Sequence, residues 1–209
     1  GVLVHSDPEV LPLEASFPVD ASLARRLHYT GYLTETSEKN TESAEPSGEI
    51  VVSGGGSESA LPLMRAALDA ATADPGRRWR LLPGHGVSGT QFNQLRAASP
   101  ANAVVERARP DFPALLARAA CSVSQFGYNT ALDLAAAGVP AVVVPFDAGN
   151  EREQAIRAER FAAMGRVVVV RSEALTGPAL LDAAAQAIAA PRASGGLDVA
   201  GAARSVGVV

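Results

Sequence analysis

The sequence predicts an α/β domain built on a doubly wound parallel sheet of about six strands. Two observations carry this reading. From residue 49 onward, short apolar runs alternate with longer amphipathic ones. The short runs are β-branched and apolar at consecutive positions rather than at every second one, as expected of strands covered by helices on both faces. Helix punctuation agrees: Asn129 and Asn150 stand at expected N-caps, and Gly138 and Gly165 follow last turns, with Pro140 close behind.

Taken in order, "EIVVSG" is the first strand and leads into a helix near Ser59–Thr72. "WRLLPG" precedes a helix near Ser88–Ala98, and "AVVER" precedes Asp111–Ala119. "CSVSQ" is followed by Thr130–Ala137, "AVVVPF" by Asn150–Met164, and "VVVVR" by Pro178–Ala190. The chain before residue 49 has a different texture. "GVLVH" reads as a short strand, Ala21–His28 as two helical turns, and "TSEKNTESAEPSG" as a linker too polar to offset its ordering entropy. The expected division is 1–35 as one piece, 36–48 as linker, 49–190 as the α/β domain and 191–209 as a tail.

Composition narrows the function. The 209 residues are 47% hydrophobic and 19% charged, with a formal net charge of −4. That is a folded globule, not a disordered chain, and its acidic excess argues against a nucleic-acid partner. No apolar run reaches the ~18 residues needed to cross a bilayer, and a cytoplasmic location is expected. Cys121 is the single cysteine, which excludes an intrachain disulfide and a cysteine-based zinc site. His5, His28 and His85 do not pair at metal-ligand spacing, so no metal is expected.

In a doubly wound sheet, ligands bind outside the carboxyl ends of the strands. The loop after the first strand is Ser53-Gly54-Gly55-Gly56-Ser57, whose backbone could approach an anion closely or simply make a tight turn. It is not GxGxxG, and no acidic residue ends the second strand, which counts against NAD. Gly127, Asn129 and Thr130 open the helix after the fourth strand, with Asp133 one turn inside. A carboxylate there could accept from a ribose diol or stand as a solvated charge. Glu153 and Gln154 open the helix after the fifth strand, while Arg157, Glu159 and Arg160 read as its solvated face. The Glu106–Asp111 loop could present backbone to a base. His85, in "PGHGVSG", is a general-base candidate without an identifiable acid partner, or part of a flexible polar loop. Cys121 and Trp79 read as core residues.

"SQFGYNTALDLAAAGVPAVVVPF" followed by "EREQAIRAERFAAMG" resembles the nucleotide-sugar-binding half of GT-B glycosyltransferases, nearest to the family 28 C-terminal domain. The resemblance spans about residues 48–190 and implies a Rossmann-like C-terminal half of a GT-B fold. It implies that Gly55, Gly56 and Ser57 approach the diphosphate and sugar, and that the backbone around Arg109 meets the base. Gly127, Tyr128, Asn129 and Thr130 would cradle the diphosphate, Asp133 would meet the ribose, and Glu153 and Gln154 the donor sugar. Gln125 stands where many such enzymes carry a phosphate-contacting His, and Asp133 where Glu is usual.

The implied activity is transfer of a hexose or N-acetylhexosamine from a UDP-sugar to an acceptor hydroxyl, without a metal or bound cofactor. The acceptor and the general base would belong to an N-terminal domain, of which residues 1–35 would be the tail; membrane contact would come only through that domain. A UDP-sugar hydrolase of the same fold, or a donor-binding subunit of a split transferase, are the alternatives.

Overall fold

The computed structural model describes residues 1–33, 47–56, 58–146, 152–191 and 201–208. Among these, strands β3 (Ile50–Ser53), β4 (Trp79–Leu82), β5 (Ala103–Val105), β6 (Cys121–Ser124), β7 (Ala141–Val143) and β8 (Val168–Val169) form one sheet. Every pairing in it is parallel, in the order β5-β4-β3-β6-β7-β8. The chain builds outward from β3 to one edge, then returns to β6 and builds to the other. The switch point therefore lies between β3 and β6, where two successive connections leave in opposite directions.

Helices α2 (Leu61–Ala73), α3 (Gly89–Ala97) and α7 (Gly177–Ala189) cover one face. Helices α4 (Phe112–Arg118), α5 (Tyr128–Ala137) and α6 (Glu153–Ala163) cover the other. Consecutive strand residues thus enter different cores: Ile50 and Val52 pack beneath α2, and Val51 lies with Leu116, Phe126 and Phe161. This is why the strands carry no polar alternation. Phe126 and Phe161 meet edge to face at 5.1 Å, a geometry that adds to their burial. Trp79 and Cys121 are core residues, as expected, and burial pushes the Cys121 thiol up to about 12.

Several boundaries differ from the sequence reading. Asn129 is not the cap of α5. Gly127 takes that place in extended backbone, and Asn129 sits in the first helical turn. Gly138 ends α5 in the left-handed conformation, as predicted. Asn150 lies outside the described residues, and Arg152 precedes α6. Asp111 precedes α4, but its side chain makes no capping bond because Arg109 holds it.

The first residues hold a second, smaller sheet in which β1 (Val2–Val4) pairs parallel with β2 (Leu27–Tyr29). The helix expected over Ala21–His28 stops after one turn, α1 (Ala21–Ala24), capped by Asp20, and His28 belongs to β2. Apolar spacing over eight residues does not separate one turn plus a strand from two turns. The C-terminal tail contains a helix, α8 (Gly201–Val208). Its first residue packs against the early segment: Gly201 N donates to Tyr32 O at 3.1 Å, and a Cβ on Gly201 would come within 2.6 Å of that oxygen. Among the described residues no helix is long and apolar enough to cross a membrane.

Candidate functional site

A cleft of about 380 Å³ lies away from the carboxyl ends of the strands. It is lined by Gly138, Pro140, Phe161, Gly165 and Ala190, so it opens where α5, α6 and α7 end and the strands begin. The chemistry-bearing loops gather at the opposite edge, around the switch point.

There, β3 runs into the glycine loop. Gly55 adopts φ +63°, open to glycine at no steric cost, and Gly56 is exposed. Ser57 lies outside the described residues. Across the switch point, Gln125 follows β6 and reaches back: its Nε2 donates to Ser59 O and Oγ, both at 3.2 Å. The amide expected to replace a phosphate-contacting His thus ties the β6 loop to the segment after the glycine loop.

Helix α5 starts beside this tie. Ala131 N donates to Gly127 O in the first intrahelical bond, so the N–H groups of Tyr128, Asn129 and Thr130 precede the ladder. Gly127 has no side chain to cap them. Those N–H groups and the positive end of the helix dipole form a helix start that can attract an anion, next to the glycine loop across the β3–β6 pairing. Asp133 is half-buried one turn further along.

Two side chains at this edge bond to other parts of the chain. The Tyr128 hydroxyl donates to His5 O at 2.9 Å and accepts from Leu33 N at 3.3 Å, and its ring lies 6.0 Å from Tyr32. Its side chain anchors the N-terminal segment and leaves only its backbone N–H for an anion. Gln154 Oε1 accepts from Phe126 N at 3.0 Å and Phe146 N at 3.1 Å, joining the loops after β6 and β7.

Arg157 was expected on a solvated face, yet it is 3% exposed. Its guanidinium donates to Phe126 O at 2.8 Å and pairs with Glu153, whose side chain is 58% exposed. The signal was present in the spacing: Gln154, Arg157, Ala158 and Phe161 fall on one helical stripe, and Phe161 is core. Glu159 and Arg160 are exposed, as expected.

On the far side, the Arg109 side chain bonds within its own loop. Its guanidinium grips both carboxylate oxygens of Asp111, at 2.8 and 2.7 Å, and holds that carboxyl below its ordinary value. Behind it, Arg80 bonds Glu49 at 2.9 Å and Glu106 at 2.5 Å, linking the start of β3 to the loop after β5. The His85 loop is built, not slack. Gly84 and Val87 are buried, and Gly86 N donates to Gly56 O at 3.0 Å. His85 itself is exposed, and none of the described residues hydrogen-bonds its side chain. No group of three or more His, Cys, Asp or Glu among the described residues is placed to hold a metal ion.

This doubly wound parallel sheet is shared with one half of solved GT-B glycosyltransferases. Among solved structures, the glycotransferase of kitacinnamycin matches with a TM-score of 0.67 at 22% identity, over 99% of this chain and 49% of that one. The glycosyltransferase VinC in complex with dTDP matches with a TM-score of 0.55 at 26% identity, over 78% of this chain and 38% of that one. The family model for the glycosyltransferase family 28 C-terminal domain matches residues 49–196, and the chain belongs to that family.

Two curated relatives are UDP-N-acetylglucosamine--N-acetylmuramyl-(pentapeptide) pyrophosphoryl-undecaprenol N-acetylglucosamine transferases. That of Exiguobacterium sibiricum is 26% identical over 73% of this chain and 42% of its own length. That of an Exiguobacterium sp. is 35% identical over 37% of this chain and 22% of its own length. The chain thus spans less than half the length of the curated relatives it matches.

Proposed function

We propose that this chain is the donor-binding half of a glycosyltransferase that takes a hexose or N-acetylhexosamine from a UDP-sugar and passes it to an acceptor hydroxyl. The observation that carries the reading is the pairing of two anion-binding elements across the switch point. The start of α5, which no side chain of Gly127 caps, and the Gly54–Gly56 loop follow the neighbouring strands β6 and β3 at the same edge of the sheet. Family membership and the UDP-sugar named in both curated relatives support the donor class.

The diphosphate lies against the N–H groups of Tyr128, Asn129 and Thr130. Its β-phosphate and the sugar face Gly55, Gly56 and Ser57. Asp133 accepts from the ribose hydroxyls, and backbone of the Glu106–Asp111 loop meets the base edge. Glu153 faces the sugar, while Gln154 and Arg157 hold the loops that frame it. As the acceptor hydroxyl attacks the anomeric carbon, negative charge builds on the leaving nucleoside diphosphate, and preorganised N–H groups stabilise it without reorganising. The general base and the acceptor site belong to an N-terminal domain, of which the β1–β2 sheet is the contiguous edge.

The test is thermal unfolding with millimolar UDP, dTDP and their sugar conjugates. A ligand at 100 times its Kd stabilises by about 2.7 kcal/mol. Protection by a uridine diphosphate is the expected result; no protection by any of them overturns the proposal. Asp133→Ala is expected to weaken UDP binding about tenfold, one charge-assisted hydrogen bond, in a variant that still folds. Unaltered affinity refutes the ribose contact.

A further inference from the structure

Arg107 belongs to the loop after β5 whose backbone is assigned to the base, but its side chain has no assigned part there and reaches the turn behind the glycine loop. Its guanidinium donates to Gly84 O at 3.0 Å and Val87 O at 2.8 Å, and rests over the Phe92 ring at 4.2 Å from its centroid. The two bonds close the turn 84–87 from outside, while Val87 N bonds Gly84 O from within at 3.2 Å. Phe92, on α3, supplies the face on which the flat cation stacks.

That turn is the back wall of the glycine loop. Gly84 lies so close to it that a Cβ would stand 1.7 Å from Gly55 O and 3.0 Å from Gly56 Cα. Gly86 N bonds Gly56 O at 3.0 Å, and Gly54 N bonds Leu82 O at 3.4 Å. The glycine loop has no side chains of its own to fix Gly54, Gly55 and Gly56. Its position comes from the turn behind it, and the position of that turn comes from Arg107.

From this chain of contacts we infer that Arg107 is a positioning residue for the diphosphate site, acting through the 84–87 turn on the backbone that approaches the β-phosphate. The inference rests on the donor-site reading above. It makes a demand that a general stabilising role does not: loss of Arg107 harms recognition of the second phosphate and spares the rest of the nucleotide. The first phosphate is met by the α5 start, and the base by the 106–111 backbone, which the Arg80–Glu106 and Arg109–Asp111 bonds hold without the Arg107 side chain.

The experiment measures Kd for UDP and UMP, by calorimetry, on the full chain and on Arg107→Met and Arg107→Lys. Arg107→Met keeps the apolar stem over Phe92 and removes both donors. Its UDP affinity is expected to fall about tenfold with UMP affinity within about twofold. Arg107→Lys keeps a cationic donor but not the flat fork, and is expected to fall between, which also answers the case in which Arg107→Met does not fold. Equal losses for UDP and UMP, or no loss for either, in a folded variant overturn the inference. A wild-type chain that binds neither UDP nor dTDP overturns the donor reading itself.

Discussion

Gly84→Ala is the sharpest perturbation available at the strand-end loops. The added Cβ would stand 1.7 Å from Gly55 O and 2.8 Å from Gly55 C, against 3.4 Å or more for ordinary contact. The obstacle is backbone, so no side chain can swing aside, and one of the two loops must move by about 1.5 Å. Gly84 has no positive φ, so alanine suits its local conformation and gains about 0.4–1 kcal/mol from a stiffer unfolded chain. Overpacking of a closed contact costs about 1–3 kcal/mol. The cost wins, leaving a net loss of about 1–2 kcal/mol. In a protein of this length that lowers the melting temperature by roughly 2–8 °C.

Gly89 is the control. It lies exposed in the first turn of α3, and a Cβ there meets nothing within 4 Å. Gly89→Ala is therefore expected to stabilise by about 0.5 kcal/mol. Calorimetric unfolding of both variants checks the pair. If Gly84→Ala melts at or above the wild type, the close apposition of the two loops is not a constraint and the account of the glycine loop's support fails.

Other outcomes follow from single contacts. Gln154→Leu strips the acceptor from Phe126 N and Phe146 N, and is expected to cost about 1–3 kcal/mol, whereas Gln154→Glu keeps an acceptor oxygen and stays close to wild type; denaturant titration of the two checks this. The Arg80 guanidinium, by hydrogen bonding, holds the Glu49 carboxyl below its ordinary value of 4.5. Its stabilising effect is then complete above pH 4.5 and lost as pH falls through the depressed folded value, because the unfolded chain takes up the proton first. The stability gap between wild type and Glu49→Gln is expected to be constant above that pH and to close below it; a gap that widens in acid contradicts the pairing. Cys121 is buried with its thiol pushed up to about 12, so it is expected to resist an alkylating reagent at pH 8 until the domain unfolds. Rapid labelling of the native chain would remove it from the core.

The sheet was legible before any coordinate. Ile50-Val51-Val52 and Ala141-Val142-Val143 admit no polar face, and a strand without one requires helices on both sides. The positions of the glycine loop, Gly127 and Asp133 at the ends of strands followed from that architecture, since a parallel sheet sends each strand's carboxyl end to the same edge. What could not be read was which side chains at that edge remain free. Tyr128 and Gln154 stand at that edge, but the Tyr128 hydroxyl and Gln154 Oε1 are taken up by His5, Leu33, Phe126 and Phe146, partners 8 to 123 residues away along the chain.

What the sequence determined by itself is the doubly wound class and the edge of the sheet where the site lies. Both rest on local periodicity and on the fixed direction of βα connections. Only the tertiary structure decided which residues face that crevice and which brace it from behind. Arg157 illustrates the reason. Its charge argued for solvent; its own helix supplies Glu153 one turn back, but only three-dimensional packing brought the Phe126 carbonyl to it. A buried guanidinium persists only where such partners converge; the helical stripe marks the buried face, but it does not encode the arrival of a carbonyl from another loop.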